Sequence, residues 1–355
     1  ARPRRRRVAP ARVAAGGEAV GERALEPRDS GRAPGNVPHC VRGARIPGVV
    51  AAAARVGGRG RAIHRAFAGT PAVGCQQRIQ PDAHAALTGH EQAGIGIATS
   101  SNPNFLATVL ANNAFSGAAE DESVEWQPPA HEVELEESAV TPGDETFINL
   151  QWNIQAIEAS AAWAAGYDGQ GVRVAILDGG IHSAHLDLDA NIDVARSVSF
   201  VTGFNFNQDV GTFWHGTHVA GIVAAEDNAL GTIGVAPKAT IIGVKVLHNG
   251  SGSFGAVIQG ILYAATPLSE GGAGANIINM SLGATFARGG GNSGDGLLVA
   301  ALNKAVNFAG HNALVVTSAG NSALDLDHSG SIITVPAQSG NGIAIAATGP
   351  LGYAV

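Results

Sequence analysis

The strongest constraint on how this chain folds is an alternation, from about residue 147 onward, of short β-branched apolar runs with helical stretches. Val174-Ala175-Ile176-Leu177 closes on Asp178, and Leu314-Val315-Val316 leads through Thr317 into Ser318-Ala319-Gly320-Asn321. Apolar runs this short, with no polar face, are the mark of strands buried on both sides. Strands are expected at 172–178, 240–247, 276–280 and 313–318, with a further one near 342–347. Helices fit 155–165, 215–226, 254–266 and 295–309. Such alternation implies an α/β fold of three layers, α/β/α, with a parallel sheet in the middle. Ligands of these sheets sit outside the strand carboxyl ends, where Asp178 and Asn321 both fall.

The chain ahead of that region has a different texture. Residues 1–78 carry sixteen Arg, no Lys and four acids, a net of +12, whereas residues 79–355 carry six basic and twenty-five acidic residues, a net of −19. The overall charge of −7 therefore joins two unlike parts. Residues 1–92 are rich in Ala, Arg, Gly and Pro and sustain no helical or strand period. Three readings fit them: an Arg-rich nucleic-acid-binding arm over 1–78, a disordered tail, or a GC-rich gene translated out of frame. The arm is the least favoured, so nucleic acid is not an expected partner. Past Ala93, Gly94-Ile95-Gly96-Ile97-Ala98-Thr99 reads as a strand. Asn102-Pro103 opens a helix through Phe105, Leu106, Val109 and Leu110, and Ser123-Val124-Glu125-Trp126 reads as a returning strand. That piece is too small to fold alone. A Pro- and Glu-rich linker follows. Cys40 and Cys75 are the only cysteines, so the later two-thirds hold no disulfide, and no apolar run approaches a membrane span.

His215-Gly216-Thr217-His218-Val219-Ala220-Gly221 opens an apolar helix 37 positions after Asp178. An acid, a base and a neutral amide donor, each at the end of an element, are three parts of an acyl-transfer site. A serine nucleophile needs a base to take its proton, an acid to orient that base, and donors for the oxyanion. At a helix N-terminus His215 is expected to favour neutral imidazole. Taken singly, Asp178 and Asn321 are ordinary turn and cap residues. His215 and His218, three apart, also suggest a metal pair, but no Glu stands in the His-Glu-x-x-His place and no third ligand is evident.

In the order Asp, then His, these blocks resemble the subtilisin-like serine proteases (subtilases). The first is Val174 to Ile181 followed by His185-Leu186-Asp187-Leu188. The second is the His215 block continuing to Gly231-Thr232-Ile233-Gly234-Val235-Ala236-Pro237, and the third is Ser318-Ala319-Gly320-Asn321. The resemblance implies a subtilisin-like fold and a serine endopeptidase acting on polypeptides, with Asp178 orienting, His215 as general base and Asn321 as oxyanion donor. It implies that Ser281-Leu282-Gly283 and Gly250-Ser251-Gly252 are the two strands that sandwich a peptide, with Ala319 and Gly320 letting substrate approach. No cofactor is required for the chemistry. A structural calcium loop is implied at Asp187 and Asn228, with carbonyls from Glu226, Leu230 and Thr232, although its amino-terminal ligand falls near Ile148, which has no side-chain oxygen.

The resemblance also implies that 93–128 is part of an inhibitory propeptide of ferredoxin-like α+β type, that 129–146 is a linker holding the maturation site, and that 147–355 is the catalytic domain. The enzyme is then a secreted zymogen, with its own propeptide as intramolecular inhibitor, although no signal peptide is visible. Two departures stand out. Gly179 replaces the family's Thr or Ser, which is expected to loosen the geometry beside Asp178. The family's Gly-Thr-Ser-Met-Ala-x-Pro block has no counterpart, since Ser322, Ser329, Ser331 and Ser339 are the only serines beyond Asn321. The chain is therefore expected to be an incomplete and inactive copy of a protease. A catalytically dead peptide-binding protein on the same scaffold is the alternative.

Overall fold

The computed structural model describes the backbone of residues 53–56, 61–67 and 86–90. It also describes residues 93–348, apart from 101–102, 112–114, 116, 127–144, 210–213 and 289–293. The chain divides into two compact units, Ala1–Ala44 and Arg45–Val355, and every described residue lies in the second.

The first strands are β1 (Ala53–Val56), β2 (Arg61–Phe67), β3 (Ala86–His90) and β4 (Ile95–Thr99). After them come α1 (Phe105–Leu110), β5 (Ala118–Glu120) and β6 (Ser123–Glu125). β1 to β5 form one antiparallel sheet in the order β1-β2-β4-β3, with β5 also on β2. Two expectations are corrected here. Residues 1–92 were expected to hold no regular element, yet three strands lie among them. Antiparallel pairing uses the backbone N–H and C=O that nearly every residue carries, so an odd composition does not prevent it. β4 is paired along both edges, by β2 and by β3. The strand that returns to this sheet after α1 is β5, not 123–126. β6 leaves it and pairs elsewhere. The helix begins at Phe105 with Asn104 in the cap position, and Asn102 lies outside the described residues.

The second half follows the expected alternation. Its elements are α2 (Trp152–Ala156), α3 (Ala159–Ala164), β7 (Arg173–Asp178), β8 (Val198–Ser199), α4 (His215–Ala224), β9 (Thr240–Lys245), β10 (Ser251–Ser253), α5 (Phe254–Ala265) and β11 (Ile277–Met280). They are followed by β12 (Ala284–Ala287), α6 (Gly294–Ala309), β13 (Leu314–Ser318), β14 (Ile332–Val335) and β15 (Gly342–Ile345). Six strands make a wholly parallel sheet in the order β15-β13-β11-β7-β9-β8. The single helix expected at 155–165 is two, because Glu158 sits in the left-handed region at φ 55° and interrupts it. The pairing of β12 with β14 had no signal in the sequence.

The alternation of side chains along β7 builds the layers. Val174 and Ile176 face one side and pack with Val219, Ala220 and Ala224 of α4. Ala175 and Leu177 face the other and join the larger core under α5 and α6, among them Val257, Ile261, Leu298 and Leu302. Both faces are covered, so the run is apolar at every position. Each such aliphatic side chain contributes about 1.5–3 kcal/mol on burial. This is a three-layer α/β/α fold.

Candidate active site

β7 delivers Asp178, fully buried, to the carboxyl end of the sheet. Its backbone carbonyl accepts from Val246 and Leu247 N–H (2.9 and 3.2 Å), and its Oδ1 accepts from Gly179 N–H at 2.6 Å. α4 starts at His215, after Trp214 turns through φ 44°. The helix can sit this close to the strand end only because its second residue is glycine. A Cβ on Gly216 would lie 2.1 Å from Gly180 O and 3.0 Å from Asp178 Cβ. His215 Nδ1 is 2.9 Å from Asp178 Oδ2 and 3.1 Å from Oδ1. A carboxylate accepting from Nδ1–H fixes the tautomer and directs the basic lone pair to Nε2. Burial pulls the His215 pKa down. The Asp178 hydrogen bond and charge, with the charge of Asp209, outweigh that pull and leave it raised. The carboxylates thus override the helix dipole that had been expected to favour the neutral ring.

Two residues that sequence reasoning passed over lie behind this pair. Asp209, 8% exposed, accepts from Thr217 N–H (2.8 Å) and Thr217 Oγ–H (2.6 Å) with one oxygen, so it caps α4 from the loop that precedes it. Lys245, at the end of β9, is fully buried and is the register partner of Asp178. Its ammonium donates to the carbonyls of Gly179 and Gln208. A lone lysine inside the apolar stretch 241–247 was the available signal, because an unpaired buried ammonium is costly.

The cleft beside His215 is lined by Ser281, Leu282 and Gly283 on one wall and by Gly320, Asn321 and Ser322 on another, so Asn321 shares one cavity with the His. Ala319, expected to face substrate, is not among the lining residues, and its N–H bonds Ile345 O at 2.8 Å. Gly250, Ser251 and Gly252, expected to be the facing strand, do not line that cavity either, and the chain itself lies against them. β6 pairs antiparallel with β10, matching Ser251 with Glu125 and Gly252 with Val124. Trp126 N–H donates to Gly250 O (3.0 Å), and Gly283 N–H donates to Trp126 O (2.8 Å). The Trp126 side chain is buried, with Nε1–H on Gly252 O at 2.8 Å and its ring edge-on to Phe254 at 5.0 Å. Residues 123–126 therefore pair with 250–253 and reach Gly283 through Trp126, so they touch both edges that were expected to sandwich a peptide. Ser339 lies apart from the cleft, buried, with Oγ–H on Asn303 Oδ1.

The loop expected to hold calcium is built around Asp187, 6% exposed. Its Oδ2 accepts from Thr232 N–H (3.0 Å) and Thr232 Oγ–H (3.2 Å), and its Oδ1 is buried with no hydrogen-bond partner. Asn228 Oδ1 accepts from Leu230 N–H at 3.0 Å, Asn228 Nδ2 donates to Leu186 O at 3.3 Å, and Glu226 N–H donates to Asp187 O at 3.0 Å. Ile148 packs in an apolar cluster with Ile154 and Ile233, so it supplies no side-chain oxygen here. Glu145, 3% exposed, precedes Phe147, whose N–H bonds Gly231 O at 2.7 Å.

A parallel α/β/α sheet with a carboxylate–imidazole pair at its strand ends defines an α/β protein with an acid–base pair beside a cleft. The sequence model of the subtilase family matches residues 169–352, and the chain belongs to that family. It is 39% identical over 215 residues to thermitase of Thermoactinomyces vulgaris, covering 59% of this chain and 66% of thermitase. It is 40% identical over 201 residues to subtilisin DY of Bacillus licheniformis, covering 56% and 64% respectively. The chain thus spans about two-thirds of the length of these relatives. In fold it is similar to the epidermin leader peptide processing serine protease of Staphylococcus aureus. That match has a TM-score of 0.59 at 19% identity and covers 79% of this chain and 68% of the other.

Proposed function

We propose that this chain carries most of the catalytic domain of a secreted serine endopeptidase that hydrolyses peptide bonds in proteins. The observation that carries the reading is the Asp178–His215 pair, 2.9 Å apart, on a cleft shared with Asn321. In this reading Asp178 holds the imidazole, and His215 Nε2 takes the proton of a serine hydroxyl and returns it to the leaving amine. The side-chain amide of Asn321 stabilises the tetrahedral oxyanion. The edges at 250–252 and 281–283 hold the substrate backbone as an added strand. Residues 123–126 supply a model of such a strand, which supports 93–128 acting as an inhibitor in cis before the linker is cut. That linker lies mostly outside the described residues.

Residues 1–355 contain no serine in the family's nucleophile block. By themselves they are expected to hydrolyse no peptide, since a triad without its serine retains only a small part of the rate. Hydrolysis of casein, with and without a serine-directed phosphonylating reagent, tests this. Reagent-sensitive turnover by residues 1–355 would overturn it. In any longer product of the same reading frame that cleaves casein, His215→Ala is expected to lower kcat by about 10⁴-fold or more. An unaffected rate there would remove His215 from the base role.

The Asp187 loop is proposed to hold a structural calcium ion. Hard oxygen donors and a buried carboxylate oxygen without a proton donor suit that cation. Asp187, Asn228 and the carbonyls of Glu226, Leu230 and Thr232 would be its ligands.

A further inference from the structure

Lys245 takes no part in the chemistry just described, yet it is the largest polar side chain buried in the molecule's described residues and lies directly behind the acid–base pair. We propose that Lys245 is a positioning residue for Asp178 and His215, clamping the two loops that carry them and offsetting part of the negative charge that Asp178 and Asp209 turn towards the imidazole.

The geometry supports both halves. Gly179, whose carbonyl accepts from Lys245, is the residue after Asp178 and donates its N–H to Asp178 Oδ1. Gln208, whose carbonyl accepts from the same ammonium at 3.0 Å, is the residue before Asp209. Asp209 in turn holds the first turn of α4 through Thr217, two residues past His215. One ammonium therefore links the end of β7 to the loop that sets the entry of α4. Moving either carbonyl moves an acid or the base.

Charge acts at the site separately from the clamp. Asp178 and Asp209 are both buried, and two carboxylates in one low-dielectric site repel unless a cation or proton intervenes. Burial raises the Asp209 pKa, and the charge of Asp178 raises it further, whereas Thr217 and Lys245 oppose the rise. Burial lowers the Lys245 pKa, opposed by Asp209 and Asp178. The groups around His215 are Asp178 from β7, Asp209 from the preceding loop, His218 on its own helix, Lys245 from β9 and Glu125 from β6 across the cleft. His248, beyond the Phe204 ring that Lys245 approaches at 5.9 Å, is the remaining titratable neighbour of the ammonium. Lys245 is the only cation of that set whose charge does not depend on an imidazole. Without it, both carboxylates would act on His215 unopposed and raise its pKa further, which leaves less of it in the neutral form that takes a proton.

The inference rests on reading Asp178 and His215 as acid and base. Its test needs no turnover, so it can fail while the protease reading stands. The readout is the titration of the His215 imidazole by NMR in the full 355-residue chain, with its signal identified by loss in His215→Ala. Lys245→Met is expected to move the midpoint up by about one pH unit and Asp209→Asn to move it down by a similar amount. The double variant is expected to return near the wild-type value. A merely structural lysine would alter thermal stability without these opposite signs. If Lys245→Met does not fold alone, a lowered midpoint in Asp209→Asn and a restored fold and midpoint in the double variant support the inference. An unmoved midpoint in Asp209→Asn, or in a folded Lys245→Met, overturns it.

Discussion

Gly179 stands between two carboxylates. Its N–H donates to Asp178, its carbonyl accepts from Lys245, and a Cβ built on it would lie 3.4 Å from Asp209 Oδ1, an ordinary contact. Asp209 Oδ1 is buried without a hydrogen-bond partner. The missing hydroxyl therefore does not leave the backbone loose, because both of its polar groups are tied. It leaves an acceptor unmet. Gly179→Ser is expected to stabilise the chain by about 1 kcal/mol more than Gly179→Ala, since both variants restrict the unfolded backbone but only serine brings a donor to Asp209. Urea unfolding midpoints of the two variants check this, and equal midpoints would count against a hydroxyl–Asp209 bond.

At the scale of elements, the docking of β6 on β10 and the start of α5 carries its own pH dependence. Asp121, just ahead of β6, accepts from Gly255 N–H (2.8 Å) in the first turn of α5, while Ser253 Oγ accepts from Ala256 N–H at 3.1 Å as the helix cap. Burial pushes the Asp121 pKa up to about 7, against the hydrogen bonds from Gly255, Ser253 and Glu122 that lower it. A pKa raised in the docked state means that this state binds the proton more tightly than the undocked one. The associated stability is complete below the ordinary value of 3.8 and is lost as pH rises to about 7. Amide protection of 123–126, corrected for intrinsic exchange, is therefore expected to fall between about pH 4 and pH 7, the window those two values set. In Asp121→Asn the fall should flatten. Wild-type protection that stays constant across the window would show that another group governs docking.

Among the described residues, the two largest core clusters cover the two faces of the parallel sheet, and the Asp187 loop lies against the smaller of these two through Leu188. If calcium fills that loop, it stabilises the native state by mass action, by about 2.7 kcal/mol at a hundredfold excess over its Kd. In a chain of this size that corresponds to a rise in Tm of roughly 4 °C. Thermal unfolding with calcium and with a chelator measures the difference. Asp187→Asn is expected to abolish the calcium response, and a response retained in that variant would move the ion elsewhere.

The sequence alone determined the parallel sheet, because a strand covered on both faces must be apolar at every position, and that pattern is readable in 174–177 and 314–316 without knowing its neighbours. The acid and the base were legible for a similar reason. Each marks the end of an element, and ends follow local chemistry. The tertiary structure decided what depended on partners far along the chain. β1 to β3 form by backbone pairing that composition does not encode, and β6 leaves its own sheet for β10, 126 residues away at the Trp126–Gly252 contact. Asp209 and Lys245 look like a loop acid and a stray cation in one dimension. They become a charge pair behind His215 only when β9 is placed beside β7, because the energy of a buried charge depends on what surrounds it in space.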